Sequence, residues 1–281
     1  MPAGRDPLRI FLQVGLFVFF YLLFLLATGF LVWGVGYLAG VTLSGFLAAL
    51  GANLVALRIY EGGRLTEIGF PWNRAAARNI GLGLLGGATS AALVMALPLA
   101  SRAAVIVPLA TSEANVRTLL YVSVMLFCGA AGEEMLFRGY GFQILLRSFG
   151  PYATILPVGV LFAALHYTNP HASALGLVNT AGFGMIFGYA FLRSRDLWLP
   201  IGLHFGWNVT LPLFGANVSG ITIRVTSYAL QWNAGPLWSG GEYGPEASLL
   251  TSAVLFALFA FVRMAPVGRQ QNPLIDGLVE S

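Results

Sequence analysis

From Ile10 to Val32 the chain carries no charged residue, and that run restricts what it can fold into more than any other feature. As a helix, a segment of about 20 residues crosses roughly 30 Å of hydrocarbon. No water reaches the backbone there, so every N–H and C=O must find its partner within the segment, which a helix alone allows. Further apolar runs occupy 37–57, 79–100, 118–147, 152–168, 173–193, 197–214 and 248–265. Hydrophobic residues make up 57% of the 281 and charged residues only 9%, against roughly 25% in soluble domains. The mean hydropathy of +0.78 points the same way. The expectation is an all-α, polytopic transmembrane helical bundle of about eight spans, resident in the cell membrane with the lipid bilayer as its first partner. Residues 1–270 are expected to form one integral-membrane domain and residues 271–281 a flexible tail.

The net charge of +4 does not indicate a nucleic-acid partner, because the basic residues are all arginine and are dispersed. Their placement follows topology. With the N-terminus in the cytoplasm, Arg5, Arg9, Arg58, Arg64, Arg74, Arg78, Arg147, Arg193, Arg195, Arg263 and Arg269 face inward, while Arg102, Arg117 and Arg224 face outward. That is the expected positive-inside bias, and it brings both termini to the cytoplasm. The first run is too long for a signal-peptide core and no small-residue cleavage site follows it, so it reads as a retained anchor. The single cysteine, Cys128, excludes an intrachain disulfide and reads as a small core residue. Residues 58–78 suit a cytoplasmic loop with an interfacial piece. In the glycine-rich 215–247 connection, the alternation Ile221-Thr-Ile-Arg-Val-Thr-Ser-Tyr228 allows either a short hairpin over the outer mouth or an ordinary loop.

Against this background Glu133 and Glu134 stand out. They lie in an apolar segment, where an ionised side chain costs on the order of 2.5–3.5 kcal/mol on insertion scales. On a helix Glu134 and Arg138 share a face in the favourable order, acid before base. Glu133 lies about 100° around the axis with no local partner, which suits it to act as a general base. Gly129, Ala130, Ala131 and Gly132 allow another helix to approach just before the acids. His166 falls near the end of the fifth span, four residues after Phe162. His204 and Asn208 share one face of the seventh. His171, beside Pro170, is left outside the site as an interface residue. Polar groups facing lipid are costly, so these side chains from three spans should face one another across a wet interior cavity. A carboxylate, two imidazoles and a carboxamide suit the addition of water to a carbonyl: the acid takes the proton, an imidazole shares it, and the remaining donors hold the oxyanion.

Glu133-Glu134-Met-Leu-Phe-Arg138, Phe162-Ala-Ala-Leu-His166 and His204-Phe-Gly-Trp-Asn208, in this order, resemble the motifs of the CPBP family of intramembrane proteases. That family groups type II CAAX prenyl endopeptidases with bacteriocin-processing enzymes. The resemblance covers about residues 118–214, and none of the motif positions departs from the family pattern. It implies hydrolysis of a peptide bond in a membrane-anchored peptide or protein substrate. Glu133 would activate water with help from His166, His204 and Asn208 would bind the oxyanion or orient the water, and Arg138 would steady Glu134. Members are often labelled metalloproteases, and Glu133, His166 and His204 match the ligand count of a catalytic zinc site. The His-Glu-x-x-His helix motif is absent, however, and metal-free glutamate chemistry is the preferred expectation. A different class remains open on the same residues: a transporter or proton-coupled carrier using the acids and histidines as a relay, or a non-catalytic immunity or scaffold protein of the same fold. Transporters commonly carry internal repeats, and the motifs here have no echo in the first hundred residues.

Overall fold

The computed structural model describes residues 6–110 and 114–276. Arg5 and residues 277–281, which figure in the topology and tail readings above, lie outside that range. The described chain is built from helices α1 (Pro7–Thr28), α2 (Leu31–Val35), α3 (Tyr37–Tyr60), α4 (Arg74–Ala100), α5 (Val116–Arg138), α6 (Tyr140–Phe149), α7 (Pro151–Leu165), α8 (Ala174–Ser194), α9 (Trp198–Leu213), α10 (Pro236–Ser239), α11 (Leu249–Met264) and α12 (Pro273–Asp276), with strands β1 (Ala104–Pro108) and β2 (Tyr228–Trp232). Side-chain caps define where the long helices begin. Asp6 accepts from Leu8 N, Asn73 from Ala76 N, Ser173 from Gly176 N and Ser248 from Thr251 N, each satisfying a backbone donor that the first turn leaves over.

Among the described residues, six helical stretches are long and apolar enough to cross a membrane: Pro7–Thr28, Tyr37–Tyr60, Arg74–Ala100, Val116–Phe149, Pro151–Thr168 and Ala174–Ser194. The protein is an integral membrane protein with a helical bundle. The two remaining expected spans correspond to α9 and α11, each of 16 residues, which as helices reach only about 24 Å.

The run expected as one span at 118–147 is broken. Helix α5 stops at Arg138 and α6 starts at Tyr140, with Gly139 between them. A Cβ at Gly139 would collide with Met135 O and Asn53 Oδ1. Asn53, wholly buried on α3, repairs the break: its amide donates to Met135 O at 3.1 Å and its carbonyl oxygen accepts from Tyr140 N at 2.8 Å. A helix can be interrupted at membrane depth only where a neighbour takes up the freed backbone groups in this way.

The acid-bearing helix packs closely, as its small residues lead one to expect. Gly132 sits against the Phe46 backbone and Gly129 against Thr42, both on α3. Helices α4 and α9 lie backbone to backbone, since a Cβ on Gly83, Gly202 or Gly206 would run into the partner helix. Gly202 and Gly206 bracket His204, so this close packing fixes the height at which its imidazole is presented.

The hairpin considered within 221–228 does not form. Apart from an isolated bridge between Val218 and Ile221, residues 221–227 are not in a strand. Strand β2 instead pairs antiparallel with β1 in the α4–α5 connection, Ala104 opposite Trp232 and Pro108 opposite Tyr228. The alternation nevertheless has a cause: Ile223 and Val225 are buried and Thr222 and Arg224 exposed, so one side of an extended segment packs on the bundle. Residues 272–276, in the segment expected as a tail, pack on the bundle. Asn272 is wholly buried and donates to Gln143 Oε1 at 3.1 Å, and Leu274 joins a hydrophobic cluster with Ile68 and Leu146.

Between α8 and α9, Asp196 is wholly buried and accepts from Asn79 Nδ2 at 2.6 Å and from Leu199 N at 3.2 Å. Burial pushes its carboxyl up to about 6, although these hydrogen bonds pull it down. The folded state therefore holds a proton more tightly than the unfolded chain. The contribution of Asp196 to stability is highest below the unfolded value, falls as pH rises toward about 6 and stays flat above it. The full difference is on the order of 3 kcal/mol. Thermal unfolding in detergent from about pH 4 to 7 should show this decline in the parent, and Asp196→Asn should remove that component. Parallel pH profiles for the two proteins would rule it out.

Candidate active site

Helix α5 carries Glu133, Glu134 and Arg138 to its C-terminal end, α7 ends beside His166, and α9 supplies His204 and Asn208. Glu134 and Arg138 form the ion pair read from their spacing, Nη1 to Oε1 at 3.1 Å, with both side chains 0% exposed. Arg138 is held at both terminal nitrogens and flanked by aromatic rings. Its Nη2 donates to Gly184 O on α8 at 2.6 Å, and its guanidinium lies 5.0–5.6 Å from the ring centres of Phe137, Phe162 and Phe187. A fully desolvated guanidinium can be kept only with such partners.

Sequence spacing links Glu134 to Arg138 alone. In the folded chain Glu134 Oε1 also meets His204 Nδ1 at 3.0 Å. A carboxylate only accepts, so Nδ1 carries a proton and Nε2 is left for the cavity. The His204 ring is stacked on Phe187, with centroids 5.2 Å apart and planes at 20°. His166 is oriented by a different group with the same result: its Nδ1 lies 2.8 Å from Phe162 O, and a carbonyl likewise only accepts. The imidazole folds back on the last turn of α7, where the Phe162 ring centre stands 4.7 Å from its own.

Both Nε2 atoms face Glu133. They stand 3.8 Å (His166) and 3.9 Å (His204) from Oε2, and the Glu133 side chain is 40% exposed. At these distances the three groups do not bond directly, whereas a proton or the O–H groups of a water would link them. Oε2 has no hydrogen-bond partner among the described residues. All four groups border one cavity of about 310 Å³: Glu133, His166, His204 and Asn208, together with Phe162 and Phe187. Thr42 and Tyr21 also line it. His171 lies elsewhere, in an exposed ion pair with Glu242 at 2.9 Å.

The zinc reading does not fit this arrangement. Ligands around a tetrahedral zinc with bonds of about 2.0–2.1 Å stand about 3.3 Å apart, closer than the two separations from Glu133. Among the described residues no group of three His, Cys, Asp or Glu side chains is placed to hold a metal ion.

One acid of the cavity escapes a reading by motif. Glu246, in the short turn Pro245–Ala247 before α11, borders the same space and is buried. Trp207 Nε1 donates to its Oε1 at 3.1 Å, and Ser219 donates to Oε2 through Oγ at 3.0 Å and through its backbone N–H. Burial pushes its carboxyl above the ordinary value, with the Ser219 and Trp207 bonds opposing. In the sequence it is an acid outside the three motifs, at the foot of an apolar run, a common place for an interface residue.

Residues 115–210 match the family model described as type II CAAX prenyl endopeptidase Rce1-like, which covers all three motifs and supports the resemblance they carry. The chain is also 26% identical over 116 residues to the uncharacterized protein YyaK of Bacillus subtilis (strain 168), an alignment covering 38% of this chain and 38% of that protein. The chain thus spans well under half of the curated relative's length.

Proposed function

We propose, on the premise of an Rce1-like core over residues 115–210, that this protein is an intramembrane endopeptidase that hydrolyses a peptide bond of a lipid-anchored or transmembrane substrate. The observation that carries this reading is the convergence of two imidazoles, each with Nδ1 committed elsewhere and Nε2 turned toward the Glu133 carboxylate.

Water held between Glu133 and His166 gives a proton to Glu133 as its oxygen adds to the scissile carbonyl. His166 accepts from the same water and fixes its direction of attack. His204 has Glu134 behind it, so Nε2 can take a proton from bulk solvent before the attack and stand as an imidazolium whose charge a buried carboxylate answers, the role a triad acid plays for its histidine. That Nε2–H and the Asn208 amide, one helical turn on, then donate to the developing oxyanion. Collapse of the tetrahedral intermediate breaks the C–N bond, and the proton held by Glu133 passes to the leaving amine. Every step uses side chains of this chain and water.

The decisive comparison is of membrane proteomes from cells producing the parent protein and Glu133→Gln. Peptides with new termini within or beside membrane segments should appear with the parent alone. Identical termini in both, together with solute or proton flux in proteoliposomes that depends on Glu133, would instead favour the carrier reading.

A further inference from the structure

The segment after α9 crosses the site in an unusual conformation. Ser219 has φ +48°, in the left-handed region that favours glycine, and Gly220 follows at +84°. Outside glycine such a backbone is uncommon and is kept only where its surroundings enforce it. Here the enforcing group is the Glu246 carboxylate, which accepts both the backbone N–H and the hydroxyl of Ser219. Its other oxygen accepts from Trp207, which lies between His204 and Asn208 on α9. Glu246 is itself anchored: Asn179 on α8 donates to its carbonyl oxygen at 2.8 Å, and Gly220 N donates to Tyr243 O at 2.7 Å. The segment held this way contributes Val218, Ser219, Ile221 and Ile223 to the cavity wall.

We infer that Glu246 is a positioning residue of this site: its carboxylate fixes the Val218–Ile223 wall against α9 and so sets where a substrate segment lies beside Glu133. Glu246 lies beyond the part of the chain that carries the three motifs. The inference rests on the proteolytic reading only for its effect on substrate; the fixing of the wall stands apart from catalysis. The wall is apolar except for Ser219, whose N–H and O–H are both committed to Glu246. It therefore offers shape and apolar surface, and the substrate feature it sorts is the size of an apolar side chain next to the scissile bond.

The wall is tested without catalysis. In a Cys128→Ala background, Ile223→Cys places a thiol at a position only 8% exposed. Its labelling by N-ethylmaleimide in phosphatidylcholine proteoliposomes should be slow in the parent and about tenfold faster once Glu246→Ala frees the segment, since labelling follows the opening of the wall. Ser219→Ala, a milder change that keeps the backbone donor, should give a smaller rise. An unchanged rate in both variants overturns the inference, whether or not any peptide is cleaved. The second readout is cleavage of lipid-anchored, quenched-fluorescence peptides. Glu246→Gln and Ser219→Ala should raise KM by several-fold to about tenfold with kcat within about threefold, the pattern of lost binding. A merely structural loss would lower the active fraction, reducing kcat at constant KM, and that outcome would equally overturn it. Parent protein that cleaves none of the peptides counts against proteolysis alone, because the thiol rate still decides the wall.

Discussion

Glu133→Gln should lower kcat for a membrane-tethered peptide by about a thousandfold or more, within the range of roughly 10²–10⁴ that a positioned general base supplies. The amide cannot take the proton from water, yet it keeps the size and nearly the shape of the acid. The fold should not notice the change. The Glu133 side chain is 40% exposed and its Oε2 has no hydrogen-bond partner to lose, so unfolding in detergent should stay within about 0.5 kcal/mol of the parent, as for substitutions away from structural networks. His166→Ala should cost less, about a hundredfold, because it removes the group that directs the water and leaves the base in place. The two effects should not multiply in the double variant, since His166 acts through the water that Glu133 deprotonates. Rates for purified protein in proteoliposomes check this. Normal turnover by Glu133→Gln would remove the base from the scheme, and full multiplication of the two losses would separate His166 from it.

What could be read in the chain beforehand was what helix geometry dictates locally. Glu134 meets Arg138 because residues four apart stack on one face, and His204 and Asn208 line one cavity for the same reason. The small residues before Glu133 announced the close approach of α3. Features made by residues distant in sequence were hidden. The end of α5 at Gly139 depends on Asn53, some eighty positions earlier, and an apolar run cannot reveal that its neighbour carries the cap. Strand β2 takes its register from β1, more than a hundred residues away, so the alternation in 221–228 pointed to the segment just before the true strand. Glu246 enters the cavity through a loop with no motif of its own. The same limit explains the partial account of Glu134. Spacing joined it to Arg138, while its second partner, His204, lies seventy residues further on and becomes a neighbour only when α9 packs beside α5.

That double duty makes Arg138 the position where substitution should do most harm to the fold. Arg138→Met removes the guanidinium paired with Glu134 and leaves a carboxylate 0% exposed with His204 as its remaining basic neighbour, and breaking one half of a buried pair typically costs about 3–5 kcal/mol. The carbonyl of Gly184 loses its donor as well. The variant should unfold at markedly lower denaturant in detergent and accumulate poorly in membranes. Adding Glu134→Gln to it should restore about half or more of the lost stability, because a neutral amide no longer demands a counter-charge, as when both members of a buried pair are replaced together. Activity should not return with it. Glutamine at 134 can still accept from His204 Nδ1, but it cannot answer the charge of an imidazolium, so the proton on Nε2 that holds the oxyanion is lost. Recovery of both stability and cleavage in the double variant would reduce the pair to a structural clamp, and recovery of neither would mean that Arg138 supports the fold through Gly184 and the three phenylalanine rings rather than through Glu134.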